Sequence, residues 1–588
     1  MFKFMRYLYL ILTLLFMTVL IKDGKSNTEY PKVFEYKSFQ EFQEALKKVE
    51  PESTLKLNYS FTADGTLKEN FYQVRDALYE AKKKIVLDLS DAKGITEIPI
   101  NAFCRGHLDY CSELIGIILP ETGVECINDG AFRECAGLKS IVIPNTVKSI
   151  GSWAFEGCNN LTSITIPASV RIIEKMAFYG CSSLVSVTIH NGIKIIPYST
   201  FAYCRSITSL KIPDSVEIIE GSAFEECSGL QTIVIPASVE EIGDYAFSGC
   251  ESLKNIAISK NLTDIGSGVF SKCNNITLID VDKMNSAYTS IDGNLYSKDG
   301  KTLIQFACGK KGSFTIPNGV EIIAESAFYG CTSITHVRIP DSVINIADYA
   351  FYECSNLISA TLSEGITSIM DYAFDSCKRL ESIIIPSSVN SIGEGVFQNC
   401  NSLSVIDVSE DNKFLSSVEG NLFSKDKKIL IQYAPSKRGA FTIPDGVETI
   451  GVRAFAFCED LTSVIISKDV KNIEVEAFCG CKGLNSIIIP EGVKSIGGYA
   501  FWCCESLTSI TIPASIETIG IYSFAHCNKL KYVTFKALTP PPLYWDNDAF
   551  HDNADGRIFI VPAGKGSSYR NNKNWAQYKN CIKEAGEE

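Results

Sequence analysis

The sequence predicts a solenoid: an α/β repeat, mostly β, wound from 23-residue coils, with two hairpin-bearing long coils and a capping unit at each end. Three observations predict it. Phe132, Phe155, Phe178, Phe201, Phe224, Phe247 and Phe270 stand 23 residues apart, and the beat resumes at Phe328, Phe351, Phe374 and Phe397, then at Phe455, Phe478, Phe501 and Phe524. Fifteen cysteines, from Cys135 to Cys527, each follow one of these phenylalanines by three residues. Between the rungs, the phrase Ile-x-Ile-Pro-x-x-Val-x-x-Ile-Gly-x-x-Ala-Phe returns. A unit this short cannot bury an apolar face alone, so a period of this size means coils that stack and share one core.

The N-terminus stands apart from the repeat. Lys3 and Arg6 precede an apolar run from Tyr7 to Ile21, followed by polar Lys22-Asp23-Gly24-Lys25-Ser26. That order is the pattern of an export signal over residues 1–27, cut between Lys25 and Thr28. A retained anchor is the alternative, but the run is short of the ~20 apolar residues that a span requires. No cysteine follows the run until Cys104, which argues against a lipid-modified mature N-terminus. Residues 28–83 read as an α/β cap: helices over Phe39–Leu46 and Leu67–Lys84 and a strand over Leu55–Phe61. The cap covers a stack end that would otherwise expose core and unpaired strand edge. The first coil then begins on the strand Ile85–Leu89.

Residues 84–535 form the stack. In the coil of Phe178, Leu161, Ile164 and Ile166 point inward and Pro167 ends the strand. Val170 and Ile173 point inward next, then Ala177, Phe178, Cys181 and Leu184. About eight inward side chains per coil contribute roughly 1.5–3 kcal/mol each as an upper bound. Gly151, Gly243 and Gly497, after the second inward isoleucine, are expected to form tight corners with positive φ. The coils about 271–327 and 398–454 are longer, since Phe270 to Phe328 and Phe397 to Phe455 each span 58 residues. Both carry Gly-Asn-Leu-x-Ser-Lys-Asp between apolar runs, which reads as a hairpin. Residues 536–588 close the chain, with Pro540-Pro541-Pro542, the strand Ile558–Pro562 and an aromatic tail holding Tyr569, Trp575 and Tyr578.

Composition excludes several functions. A net charge of −13 gives no basic stripe for a phosphate backbone, so no nucleic-acid partner is expected. The 22 cysteines would suggest a disulfide framework in an exported chain. Their confinement to one slot argues instead for buried thiols that act as small hydrophobes. Cys104 with Cys111 is the one pair expected to be a candidate bridge, and Cys111 reads as a displaced member of the ladder. Cys479 and Cys503 match no zinc spacing. His107, His190, His336, His526 and His551 are scattered among the repeat slots, and no hydrolase or phosphate-loop motif is present. Around Asp552–Gly556 a calcium-loop pattern fails, because Pro562 stands where the last ligand belongs. The reading is therefore non-catalytic, with no cofactor and no metal.

Leu-x-x-Ile-x-Ile-Pro-x-x-Val-x-x-Ile-Gly-x-x-Ala-Phe-x-x-Cys, together with the Gly-Asn-Leu-x-Ser-Lys-Asp inserts and the Val561-Pro562-Ala563-Gly564 tail, resembles the BspA-type leucine-rich repeat of bacterial and protist surface proteins. The resemblance covers about residues 84–582 and implies a leucine-rich-repeat solenoid. It also implies a secreted or cell-surface protein, often an adhesin for host matrix proteins such as fibronectin and fibrinogen. It carries no catalytic motif, and a shared fold does not transfer a ligand.

Two surface ladders are candidates for binding. One is the outward slot between the strand isoleucines, holding Thr165, Thr188, Val234, Ile384, Ile465 and Ile488 among others. It reads either as ordinary β-propensity or as a flat strip for an extended ligand. The other lies beside the ladder phenylalanine, where Trp153, Tyr179 and Tyr245 are joined by Tyr329, Tyr349, Tyr352, Tyr372, Tyr499, Trp502 and Tyr522. These last seven are the expected binding residues, since clustered Tyr and Trp favour interfaces; shielding of the core is the competing reading. The expected function is protein binding or adhesion to host extracellular-matrix or neighbouring-cell proteins, without a membrane span once the signal is removed. The alternative is a self-associating component of the cell envelope.

Overall fold

The computed structural model describes residues 33–61, 66–106, 111–543 and 548–587. The export signal read over residues 1–27 and His107 lie outside them.

The repeat closes into a solenoid because each coil satisfies its backbone through three ladders to its neighbours. The first strand, Ser163–Ile166, pairs in parallel with Ser186–Ile189, residue for residue across 23 positions. A two-residue second strand, Ile172–Ile173, pairs with Ser149–Ile150. The turn makes the third ladder: the Phe155 N–H donates to the Ala177 carbonyl at 2.7 Å and the Phe178 N–H to the Thr200 carbonyl at 2.9 Å. Alternation on the first strand puts Ile164 and Ile166 inside and Ser163 and Thr165 outside. Val170, Ile173, Ala177, Phe178, Cys181 and Leu184 complete the core of that coil, none more than 4 % exposed.

The phenylalanines stack face to face. Phe155 and Phe178 lie 5.1 Å apart with planes 2° from parallel, and Phe501 and Phe524 lie 5.1 Å apart at 3°. The stack extends past the 23-residue beat to Phe103 at one end, 5.3 Å from Phe132, and to Phe550 at the other, 5.2 Å from Phe524. Irregular spacing hid both rungs in the sequence.

The cysteine slot holds buried thiols with a polar task as well as a packing one. Cys158, Cys181, Cys204 and Cys227 each place Sγ 3.1–3.2 Å from the phenylalanine carbonyl of the preceding coil, at Phe132, Phe155, Phe178 and Phe201. Each of these carbonyls also accepts the N–H of its own coil's cysteine, as Phe201 does from Cys204 at 3.2 Å, so the thiol supplies a second hydrogen bond that a small apolar residue would not. Two expectations for the cysteines need correction. Cys104 and Cys111 are both free, and Cys111 instead hydrogen-bonds Cys135, as a displaced ladder member does. The bridge forms between Cys308 and the ladder's own Cys331, with Cα atoms 4.6 Å apart. Cys308 reaches its neighbour because Phe306 has entered the stack, 4.7 Å from Phe328, and Cys308 follows it by two residues rather than three.

The glycines after the second inward isoleucine also depart from expectation. Gly151, Gly243 and Gly497 do not have positive φ. A Cβ on them would lie 2.5 Å from Asp129 N, 2.6 Å from Gly221 N and 2.5 Å from Val475 N respectively. Close approach of the previous coil's backbone, not handedness, selects glycine there. The left-handed positions lie two residues before and two after the ladder phenylalanine, as at Tyr245 (φ 56°) and Lys272 (φ 58°).

Each long coil folds into a three-stranded antiparallel meander: Tyr288–Ile291, Asn294–Ser297 and Thr302–Gln305, then Leu415–Val418, Asn421–Ser424 and Ile429–Gln432. The last strand of each meander continues in parallel into the second-strand sheet of the following coils. The meanders divide the core into three successive segments along the axis. At the start, Val33–Tyr36 and Thr54–Leu57 add parallel strands to Ile85–Asp88. Helices Phe39–Lys48 and Leu67–Ala81 accompany them, the second opened by a Thr66–Glu69 capping box. At the other end Ile558–Val561 and Ile582–Glu584 extend the first-strand sheet, and Trp575 is buried with Nε1 donating to the Pro541 carbonyl at 2.9 Å.

Candidate functional site

The turn ladder places all seven expected binding residues on one face, and all seven are half-buried. Tyr349, Tyr372, Tyr499 and Tyr522 occupy the left-handed position two residues before the phenylalanine, with φ between 51° and 56°. Bulky residues rarely adopt that conformation. Here the ladder holds it: the Tyr349 N–H donates to the Asp371 carbonyl at 3.0 Å, and the Tyr499 N–H to the Ile521 carbonyl at 2.8 Å. Tyr329, Tyr352 and Trp502 follow the phenylalanine directly, on the same edge of the turn.

The structure gathers these residues into two clusters. In the first, Tyr349 stacks on Tyr372 at 5.1 Å and 8°. Tyr352 stands edge-on to both Tyr349 (5.5 Å, 83°) and Tyr329 (5.0 Å, 80°). Tyr245 stands edge-on to Tyr329 from across the first long coil, at 6.3 Å and 81°. Together with Glu225, Glu226, Ser248 and Lys272, the residues Tyr245, Tyr329, Tyr349 and Tyr352 line a cleft of about 330 Å³. Lys272 Nζ lies 4.9 Å from the centre of the Tyr329 ring and 2.9 Å from Glu353 Oε2. Burial pushes the Tyr352 hydroxyl up to about 12, with Asp375 and Glu353 adding to the effect, so it remains a neutral donor. Arg453 covers the Tyr372 ring at 4.9 Å and pairs with Glu476 through two bonds of 2.8 and 2.9 Å.

The second cluster lies near the C-terminal cap. Tyr499 and Tyr522 are 5.5 Å apart; Trp502 meets His526 edge-on at 5.8 Å and Tyr522 meets His551 at 6.1 Å. His526 and His551, scattered by sequence, come within 5.6 Å of each other. Each is oriented through Nδ1 by a carboxylate, Asp552 at 3.0 Å and Asp548 at 2.9 Å. Among the described residues no group of three or more His, Cys, Asp or Glu side chains is placed to hold a metal ion.

Sequence reasoning passed over Lys272, Glu225, Glu226 and the two histidines as site residues, because charged residues in turn slots look like solvated surface. The distinguishing signal was positional: Lys272 and Glu226 both stand two residues after a ladder phenylalanine, on the same edge as the tyrosines. The outward strand slot is exposed as expected, with Ile384 at 63 % and Ile488 at 72 %. Among the described residues no helix is long and apolar enough to cross a membrane.

No curated protein matches this chain. A leucine-rich repeat protein from Bacteroides ovatus is 24% identical over 77% of this chain and 84% of its own, with a TM-score of 0.36. A leucine rich cell surface protein from Faecalibacterium prausnitzii is 26% identical over 71% and 86%, with a TM-score of 0.34. The pneumococcal vaccine antigen PcpA is 18% identical over 75% and 83%, with a TM-score of 0.30. The profile described as "BspA type Leucine rich repeat region (6 copies)" matches residues 96–231, 194–311, 302–429 and 433–554. These matches run through the solenoid from its early coils to the last rung of the phenylalanine stack, and the chain belongs to the BspA-type leucine-rich repeat family.

Proposed function

We propose that this chain is a non-catalytic binding scaffold, exported or held at the cell surface, that engages proteins of host or neighbouring cells through the aromatic face of its turns. The observation that carries this reading is the tyrosine cleft, where side chains from five coils meet on one edge of the ladder. Half-buried tyrosine and tryptophan offer large contact area with little conformational entropy to lose. Two such clusters on one rigid stack allow several weak contacts to act together. The charged-apolar-polar order at the N-terminus supports export.

The test replaces Tyr349, Tyr372, Tyr499 and Trp502 together by Ser and measures attachment to surfaces coated with extracellular-matrix proteins. Loss of attachment in a variant with an unchanged circular-dichroism spectrum supports the site. Unchanged attachment rejects it.

A second reading, self-association within the envelope, draws on the exposed apolar side chains of the first-strand face. Val142, Val234, Ile384, Ile465 and Ile488 are each more than half exposed, and Ile465 and Ile488 are register partners on neighbouring strands. Sedimentation of the purified chain separates the two: concentration-dependent assembly without added ligand favours the second.

A further inference from the structure

We propose that the cleft between Tyr245, Tyr329, Tyr349 and Tyr352 receives a cationic side chain, arginine or lysine, presented by a partner protein. This rests on the binding reading above and narrows it to one chemistry.

The walls define the preference. Three ring pairs meet at 80–83°, so the tyrosines enclose a space from several directions instead of forming one flat platform. A ring face carries partial negative charge, and several faces around one space attract a cation more than a neutral group. A flat platform would suit a sugar ring or another aromatic side chain; a box of this kind suits an ammonium or guanidinium. The volume of about 330 Å³ is ample for one long side chain entering from the open side.

The charges agree. Glu225 and Glu226 line the cleft, and neither is ion-paired among the described residues. Lys272, the one cation of the lining, is neutralised by Glu353 at 2.9 Å. The lining therefore keeps a net negative balance next to the ring faces, and the whole chain carries −13.

The protein already uses these rings in this way. Lys272 rests on Tyr329 at 4.9 Å, and Arg453 rests on Tyr372 at 4.9 Å on the far side of the same cluster. Two cations of different shape have settled on two of the five rings; Tyr349 gives one face to Tyr372 and Tyr245 lies over Gly268, and the ring surface of Tyr245, Tyr349 and Tyr352 that lines the cleft is what an incoming third would meet.

The test titrates the full chain at low salt with acetyl-Gly-Arg-Gly-amide, acetyl-Gly-Lys-Gly-amide, acetyl-Gly-Gln-Gly-amide and maltotriose. The arginine and lysine peptides are expected to bind saturably and at least tenfold more tightly than the glutamine peptide. Their affinity is expected to fall about fivefold or more in Glu225→Gln/Glu226→Gln, and to rise in Lys272→Met, which removes the resident cation and frees Glu353. Both variants change half-buried side chains outside the core, and circular dichroism checks that they fold. Equal binding of the glutamine peptide, preferential binding of maltotriose, or cation binding insensitive to the glutamate pair would each overturn the proposal. Loss of matrix attachment in the fourfold Ser variant without any cation preference would leave the binding reading standing and end this one. Unchanged attachment with an intact, glutamate-dependent cation preference would do the reverse.

Discussion

The Tyr245 hydroxyl meets Ser326 Oγ at 3.2 Å across 81 residues of sequence, and the ring reaches that far because residue 268 is a glycine. A Cβ on Gly268 would lie 2.5 Å from Tyr245 Cε1. The same device recurs 127 residues later, where a Cβ on Gly395 would lie 2.8 Å from Tyr372 Cε1 and the ring reaches Arg453 beyond the second long coil. In both places a tyrosine lies flat over the last regular coil and fastens to the coil after the insertion.

Gly268→Ala is therefore expected to destabilise the chain by about 1–3 kcal/mol, the usual cost of forcing a methyl into filled space. The left-handed backbone of Gly268, at φ 60°, adds its own cost, which Ser326 and Tyr349 show the slot can bear at φ 58° and 56°. Urea denaturation of Gly268→Ala and of Gly268→Ala/Tyr245→Ala checks this. The double variant should recover part of the loss, which a purely backbone penalty would not allow.

The solenoid was legible because the inward side chains repeat at a fixed interval, and any residue on that interval could be assigned a direction. What escaped lay off the interval. Phe103 and Phe550 stack in line with the ladder but stand 29 residues before Phe132 and 26 after Phe524. Tyr288–Ile291 is a strand whose outer residues are only half-buried, so alternation did not mark it. The seven aromatic residues could be placed on one face from their slots. Their closure into a cleft with Lys272 and Glu226 could not, because the long coil separates Tyr245 from Tyr329 by 84 positions and brings them together only in space.

The thiol ladder predicts a difference between two nearly isosteric changes. Cys227 is fully buried and its Sγ lies 3.2 Å from the Phe201 carbonyl. Cys227→Ala removes one of the two hydrogen bonds that this carbonyl accepts, the other coming from the Cys204 N–H at 3.2 Å, and is expected to cost about 1–2 kcal/mol through the lost bond and the lost volume, whereas Cys227→Ser keeps a donor and should cost less. Thermal denaturation of the two variants reads the order directly; Ser below Ala would contradict it.

The same burial keeps the ladder thiols out of reach of solvent reagents. It pushes the Cys227 and Cys273 thiols up to about 12, so neither forms the reactive thiolate near neutral pH. Thiol titration of the native protein at pH 8 should detect at most the partly exposed Cys126, Cys503 and Cys581, with the other free cysteines appearing after denaturation.

Asp375 predicts a pH dependence. It is 3 % exposed beside the cleft, on the slot that Tyr329 and Tyr352 occupy in the two preceding coils. Burial raises its pKa from 3.8 to about 6, against hydrogen bonds from Ser376 and Asn399 that lower it. The folded state thus holds a proton that the unfolded state has released between those values. The stabilising contribution is complete below about 3.8 and is lost as pH rises through about 6, up to about 3 kcal/mol. Asp375→Asn should therefore be the more stable protein at pH 8, with the gap narrowing toward pH 4. Urea midpoints across that range check the sign, and a variant weaker than wild type at pH 8 would refute it.

The Cys308–Cys331 bridge closes a 23-residue separation that contains the strands Gly312–Thr315 and Ile322–Ile323. The second long coil has the same meander but Pro435 where the first has Cys308, and its Cys458 is free. The architecture therefore does not depend on the bridge, which acts on stability by restricting the unfolded segment, by about 3 kcal/mol for a loop of this length. Cys308→Ala is expected to fold and to bury its core as wild type does. Its effect should be local, because stacked coils contact only their neighbours. Hydrogen exchange should accelerate in Gly312–Thr315 and Ile322–Ile323 and stay unchanged in the matching strands Gly439–Thr442 and Thr449–Ile450. Acceleration in both sets would mean that the two long coils unfold as one unit, and no acceleration in either would mean that packing alone holds the first.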